Sequence, residues 1–383
     1  MSWATVPLGD LVQFKGGGTP DKSIDHYWNG PIPWASVKDF KSTELSTTLD
    51  SITQAGLDNS ASNMIPRGTI IVPTRMAVGK AAIASIDLAI NQDLKALLPK
   101  SDIDTRYLLH VLLAFSEKLL RFATGATVKG ITLDVLRALE VPLPPLPEQR
   151  RIAAILDQAD ALRRLRRQSL DHLEQLAPSI FRDMFGDMRT NSMGWYTEKL
   201  GNLCDLVRGS SPRPQGDPKY FDGPIPRLMI ADISRDGMRV RPAIDSLTTE
   251  GARRSRAMKA GSVVMAVSGA VGLPAILEID ACIHDGFVGF RELSPSILPE
   301  FLYHFLSVQR AENSSKGTGA IWKNLTTDQV RDFNVPCPSL EKQQNFINRL
   351  QAIDEKLKAS TNHLSTLEYL FTSLQHRAFR GEL

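Results

Sequence analysis

The sequence predicts an α+β chain written twice: two pseudo-two-fold-related α/β globules separated by a pair of long antiparallel coiled-coil helices. Three observations predict it: an internal repeat that runs almost end to end, short β-type runs bounded by turn residues in each half, and a heptad stripe closing each half.

The repeat comes first because it decides the architecture. WATVPLGDL at Trp3–Leu11 faces WYTEKLGNL at Trp195–Leu203, and YWNGPIPW at Tyr27–Trp34 faces YFDGPIPR at Tyr220–Arg227. MIPRGTII at Met64–Ile71 faces MKAGSVV at Met258–Val264, and YLLH at Tyr107–His110 faces FLYH at Phe301–His304. TGATVKGITLD at Thr124–Asp134 faces TGAIWKNLTTD at Thr318–Asp328, and VPLPPLPEQ at Val141–Gln149 faces VPCPSLEKQ at Val335–Gln343. The offset grows only from 192 (Trp3 to Trp195) to 194 (Val141 to Val335), so one unit has been duplicated in tandem.

Each copy divides in two. The globular part covers 1–145 and 190–338 and carries runs such as Thr69–Val72, Ala82–Ile86, Val263–Val267 and Ala275–Ile279. Helices interrupt them at Arg106–Phe122 and Pro299–Ala311, so the expectation is a compact globule with one curved, mostly antiparallel sheet. Prolines at 142, 144, 145 and 147, and at 336 and 338, exclude helix before the closing segments, 146–186 and 339–383.

In the second closing segment Phe346, Leu350, Ile353, Leu357, Ser360, Leu364, Leu367, Phe371, Leu374 and Ala378 alternate steps of four and three. That is a heptad seam. The first repeats it with Ile152, Ile155, Ala159, Leu162, Leu173, Leu176 and Ile180, with Arg166 and Ser169 interrupting. At 1.5 Å per residue a helix of about forty residues spans about 60 Å. The short connection from Gly186 to Trp195 favours antiparallel pairing, with the globules at opposite ends of a rod.

Composition excludes several classes. Hydrophobic residues make up 42% and charged residues 23%, as in an ordinary globular chain. Lys and Arg total 45 against 42 Asp and Glu, and no segment is strongly basic, so net charge alone does not predict a nucleic-acid ligand. Cys204, Cys282 and Cys337 are too scattered for a disulfide framework or a metal knuckle, which fits a reducing cytoplasm. The N-terminus lacks a leader pattern, and the charge-free stretch Gly261–Leu277 is too short and too broken to span a bilayer, so it reads as two buried strands.

No catalytic signature is present. The P-loop pattern fails at Gly79-Lys80, where Thr74 replaces the first glycine and Ala81 follows the lysine. No histidine pair has zinc-helix spacing, and the repeat-equivalent His110 and His304 read as packed histidines. Leu143-Pro144-Pro145-Leu146 lacks both ends of an amino-methyltransferase segment.

Matched heads at a fixed separation suit a ligand with two half-sites, and duplex DNA is the obvious one. The heads diverge most where a reading surface belongs: SVKDFKSTELSTTLD at Ser36–Asp50 against MIADISRDGMRVRPAID at Met229–Asp245. The tandem of head, proline-rich lead-in and long helix, with the phrases PLPPLPEQRRIAAIL, PCPSLEKQQNFI and LQHRAFRGEL, resembles the DNA-specificity subunits of type I restriction-modification systems over the whole chain. The resemblance implies that the heads are target recognition domains and that the helices space the half-sites. It also implies that the helices dock two modification (methyltransferase) subunits, which restriction (translocase/nuclease) subunits join. On that reading the chain is not itself an enzyme, and S-adenosylmethionine, ATP and Mg belong to the partner subunits.

DNA contacts need Arg, Lys, Asn or Gln for base edges, and Lys, Arg, Ser, Thr or backbone amides for phosphates. In the first head the candidates are Lys15, Thr19, Ser36, Lys38, Arg75, Lys80, Thr127 and Lys129. In the second they are Arg208, Ser210, Arg213, Arg253, Arg254, Arg256, Ser268, Lys316, Thr318 and Lys323. Lys129 with Lys323, and Lys15 with Arg208, are repeat-equivalent and rank highest, while Trp322 reads either as a stacking residue or as core. Arg163, Arg164 and Arg167 are candidates for a partner subunit, with DNA phosphate or a plainly solvated flank as the other readings. Two rival classes stand beside this one: a coiled-coil scaffold whose heads bind proteins, and an enzyme with an unrecognised site.

Overall fold

The computed structural model describes residues 3–100, 102–125, 129–188, 190–315 and 324–383, with the side chains of 311–315 left aside. The chain divides into two compact units, Met1–Arg167 with Asn362–Leu383, and Gln168–Thr361.

The first unit has three sheets where the sequence suggested one. A five-stranded sheet runs in the order Val12–Gly16, Leu94–Pro99, Ile70–Pro73, Ala82–Ala84, Glu44–Leu45, antiparallel except for its last pair. A four-stranded sheet runs Asp50–Ile52, Trp28–Ala35, Leu88–Ile90, Met64–Ile65, and Thr5–Pro7 pairs with Glu140–Pro142. The sheet divides because the turn at 91–93 sends the strands on either side of it to different sheets.

The second unit repeats this strand for strand. Its five are Asp205–Arg208, Phe287–Arg291, Val263–Ala266, Pro274–Leu277 and Arg239–Val240. Its four are Asp245–Leu247, Phe221–Leu228, Ala281–Ile283 and Arg256–Met258, and its pair is Thr197–Lys199 with Asn334–Pro336. The stretch Gly261–Leu277 thus contributes two strands with every residue buried.

The five-stranded sheets are apolar on both faces, so alternate residues feed different cores. Ile70, Val72 and Leu97 join Tyr107, Leu108 and Val111 of the helix Thr105–Ala114, while Ile71, Ala82 and Ala96 join Phe40, Leu45 and Leu88. In the second unit Val263 and Met265 face Phe301 and Phe305, and Val264 and Ala266 face Leu228 and Ile233. The helix expected over Arg106–Phe122 breaks at Phe115, whose ψ of 9° leaves the helical range, and resumes as Ser116–Arg121.

The long helices run Leu146–Phe185 and Leu340–Arg380. Pro147 lies in the first turn, where its missing N–H needs no partner, and Pro178 lies inside the first helix. All ten predicted seam positions of the second helix are buried or half-buried. The first helix differs: Leu162 and Leu176 are exposed, and the covered stripe is Ile152, Leu156, Ala159, Arg163, Arg166, Leu170, Leu173, Ala177 and Phe181.

The helices pair antiparallel within each unit. In the first, Arg151 reaches the carbonyl of Leu383, Arg163 stacks on Phe371, and Arg167 binds Glu368. In the second, Phe185 and Phe181 lie on Phe346 while Ala177 lies by Leu350. Gln149 and Gln343, both buried, tie the helix starts to their units through three hydrogen bonds each.

Candidate nucleic-acid interface

In the first unit the glycine-rich loop after Val12–Gly16 crosses the end of strand Leu88–Ile90. A Cβ on Gly17 would collide with the carbonyl oxygen of Ile90, so only glycine allows the approach. Gly18 N–H donates to that carbonyl at 3.0 Å. The approach sets Thr19 against the turn at 91–93, where its hydroxyl donates to Gln92 Oε1.

A cleft of about 820 Å³ opens beside this turn, and among its lining residues are Thr19, Trp28, Trp34, Ser36, Lys38 and Gln92. The indole of Trp34 is fixed by bonds to Gly18 O (3.1 Å) and Ser62 Oγ (3.2 Å), and its ring meets Trp28 edge-on at 5.2 Å. Ser36 is buried and caps a short turn through the Asp39 carboxylate, so it shapes the wall, while Lys38 is exposed.

Three of the predicted first-head residues thus share the cleft: Thr19, Ser36 and Lys38. Arg75 stands at its rim, 3.9 Å from Asp93, and a bridge between Arg75 and Gly130 brings Lys129 alongside. Lys15 and Lys80 point their ammonium groups to the carbonyls of Met64 and Phe40.

In the second unit Gly209 makes the same close crossing, under the carbonyl of His284. Arg208 donates to the carbonyls of Asp285 (2.7 Å) and Leu325 (3.2 Å), so its guanidinium secures the loop. Ser210 and Ser255 lace the loop to the segment bearing Arg253 and Arg254, through Ser210 Oγ to Arg254 O and Ser255 Oγ to Ser210 O. Arg253 and Arg254 each lie 3.7 Å from Glu250, and Arg254 stacks over Tyr220.

Arg213 is well exposed, 3.8 Å from Asp285, and Arg256 is exposed on an edge strand. Ser268 lies beside Gly286, within the same turn region. Where Trp34 stands in the first unit, the second has Arg227, buried, paired with Asp245 and stacked on Phe221. Thr127, Lys316, Thr318, Lys323 and Trp322 lie outside the described residues.

Sequence reasoning passed over the turns themselves: Asn91 and Gln92 in one unit, His284 and Asp285 in the other. The signal was there. LAINQDL at Leu88–Leu94 and ACIHDGF at Ala281–Phe287 sit in repeat register with matched apolar flanks and unlike polar tips. The Ser211 hydroxyl bond holds the Asp285 carboxyl below the usual carboxylate range, which keeps it ionised and acceptor-only.

On the helix pair, Arg163 is covered by Phe371 and paired with Asp160, whereas Arg164 and Arg167 are half exposed and paired with Asp160 and Glu368. His110 is buried against Asp157 at 2.8 Å, and His304 stacks on Phe181. Burial pushes the Cys204 thiol up to about 12, so it is no nucleophile at neutral pH. Among the described residues no cluster of metal-ligating side chains occurs, and no helix is long and apolar enough to cross a membrane.

Two α+β units of identical strand order, each with a glycine crossing beneath a polar turn and each holding part of two antiparallel helices, define a duplicated recognition protein. The chain belongs to the family described as the type I restriction modification DNA specificity domain, which matches residues 1–175 and 193–369. It is 27% identical over 251 residues to the type I restriction enzyme MjaIX specificity subunit of Methanocaldococcus jannaschii, covering 60% of this chain and 58% of that relative.

Longer matches run to the MjaVIII specificity subunit of the same organism (20%, all of this chain and 93% of the relative) and the EcoBI specificity subunit of Escherichia coli (25%, all of this chain and 86%). Its fold is shared with a chain from a structural study of complex assembly in the type I R-M system (TM-score 0.69, 19% identity, 100% of this chain and 98% of that one). It is shared too with the type I S subunit from M. genitalium (TM-score 0.56, 16% identity, 99% and 96%). Family membership does not favour the protein-binding scaffold or the unrecognised enzyme.

Proposed function

We propose that this chain is the DNA-reading subunit of a cytoplasmic type I restriction-modification complex. Each globular part, 1–145 and 190–338, reads one half of a bipartite duplex target. The helical segments 146–186 and 339–383 set the unread gap and dock two methyltransferase subunits, which the translocating nuclease subunits join. The chain catalyses nothing alone, and S-adenosylmethionine, ATP and Mg act on the partners.

One observation carries this reading: two frameworks of identical strand order present unlike polar turns beside their glycine crossings. The same scaffold with different tips is what two different half-sites require.

The test is the motif methylated in cells carrying this chain and its methyltransferase partner. Two short words around an unread gap are expected, and no motif or a contiguous one overturns the proposal. Deleting residues 167–173 and 361–367 removes one heptad, about 10.5 Å, from each helix. The words should persist while the gap shortens by about three base pairs. An unchanged gap refutes the spacing role of the helices.

A further inference from the structure

The two units diverge at one turn in a way that has a direct chemical reading. In the first unit Leu94 N–H donates to Asn91 O at 3.3 Å and Asp93 N–H to Asn91 Oδ1 at 3.1 Å. In the second, Phe287 N–H donates to His284 O at 2.9 Å and Gly286 N–H to His284 Nδ1 at 2.9 Å. Backbone and first side chain therefore do the same work in both.

The second residue of each turn, Gln92 or Asp285, is exposed. Each is gripped from the glycine loop by a hydroxyl at the same repeat position. Thr19 Oγ1 donates to Gln92 Oε1, and Ser211 Oγ donates to Asp285 Oδ1 at 2.7 Å. With one oxygen occupied, the remaining groups have opposite polarity. Gln92 presents an amide nitrogen with no partner among the described residues. Asp285 presents a second carboxylate oxygen, which no hydrogen bond among the described residues occupies and which faces the exposed Arg213 at 3.8 Å.

Base edges in the major groove are told apart by this polarity. Guanine O6 and N7 and thymine O4 accept, whereas cytosine N4 and adenine N6 donate. We infer that Gln92 and Asp285 are specificity-determining residues at corresponding positions of the two half-sites. Gln92 reads a base-edge acceptor, and Asp285 reads an exocyclic amino group. This rests on the DNA-reading function proposed above. The hydroxyl grip supports it, because a side chain fixed before binding loses less rotamer freedom on contact. The cleft beside Gln92 leaves the approach open.

The experiment uses the full chain assembled with its methyltransferase subunits, on duplex libraries randomised at each half-site. Asp285→Asn keeps the oxygen that Ser211 grips and exchanges the other for a donor. Gln92→Glu makes the reverse exchange. Each variant should shift preference at one position of one half-site by roughly 10- to 100-fold, with the other half-site untouched. Asp285→Ala should relax that position without switching it.

Variants that keep the wild-type preference at every position overturn the inference. So do variants that weaken all sequences evenly, the mark of a phosphate contact or a fold support. If the wild type itself selects no bipartite motif, the proposed function falls and this inference with it. If it selects one that all three variants retain, only this inference falls.

Discussion

Gln149 gives the most demanding test of how the long helices are fixed to their units. Its side chain is 1% exposed and fully bonded. Oε1 accepts from Asp104 N–H at 2.8 Å, and Nε2 donates to Asp102 O and Pro144 O, both at 2.9 Å. One amide thus joins the proline lead-in, the first turn of the long helix and the cap of helix Thr105–Ala114. Gln149→Ala removes three hydrogen bonds worth about 1 kcal/mol each and strands their partners, for a loss of about 3–4 kcal/mol. For a unit of this size that lowers the melting midpoint by on the order of 10 °C. Gln149→Glu is nearly isosteric, yet it turns a carboxylate oxygen toward two carbonyls and should cost at least as much. Gln343 makes the same three bonds, to Leu298 N, Ser296 O and Pro338 O, so Gln343→Ala should cost the same and add to the first. Thermal unfolding followed by circular dichroism reads the wild type, the three single variants and the double alanine variant. A Gln149→Glu chain as stable as wild type refutes the reasoning.

Burial among Phe181, Phe346 and Tyr303 pushes the His304 pKa down to about 4, against an unfolded value near 6.5. The unfolded chain therefore binds the proton first, and stability complete above pH 6.5 is lost as pH falls toward 4, by roughly 3 kcal/mol. His304→Phe should flatten that decline in urea unfolding at pH 7 and pH 4.5, and equal acid sensitivity in both proteins would rule the ring out. Arg163 sits 3.5 Å over Phe371 with its Nε buried and unbonded, while Leu357 holds the matching place in the second helix. Arg163→Leu should leave stability unchanged or raise it by about 1 kcal/mol. Arg163→Ala should lower it by about 1–3 kcal/mol, and a midpoint depressed more by Leu than by Ala would contradict this.

The duplication was legible because it rests on matched phrases, and the second seam because Phe346 to Ala378 keeps one unbroken period. The first seam was misplaced for a physical reason. Counting only apolar residues selects Leu162 and Leu176 and treats arginine as an interruption. The covered stripe instead admits Arg163, whose guanidinium lies over the Phe371 ring. Reading loops for basic residues selected side chains by charge and left their partners unread. Arg208 has the charge of a phosphate contact, but two backbone carbonyls occupy it. Gln92 and Asp285 carry no positive charge to select them, and the hydroxyls that grip them are visible only in the structure.

The two copies also serve as controls for one another. Arg106 on a helix binds Glu44 on the edge strand at 2.9 Å, and at the matching positions Glu300 binds Arg239 at 2.6 Å, with the charges exchanged. What persists is the attraction, not the residue that supplies either sign. Such exposed pairs contribute about 0–1 kcal/mol, yet an uncompensated change would set like charges together. This framework pair therefore changes in a complementary way that closes within the unit. The turns change differently. Between Thr19–Gln92 and Ser211–Asp285 the hydroxyl bond persists while the outward group passes from donor to acceptor; no described side chain hydrogen-bonds to that group in either unit, and the acceptor of the second faces Arg213 at 3.8 Å. At 3.8 Å Arg213 lies beyond hydrogen-bond reach, so both outward groups keep hydrogen-bonding capacity for a ligand. On the DNA-reading function proposed above, the surface that offers both kinds of complement at corresponding places is the edge of a base pair.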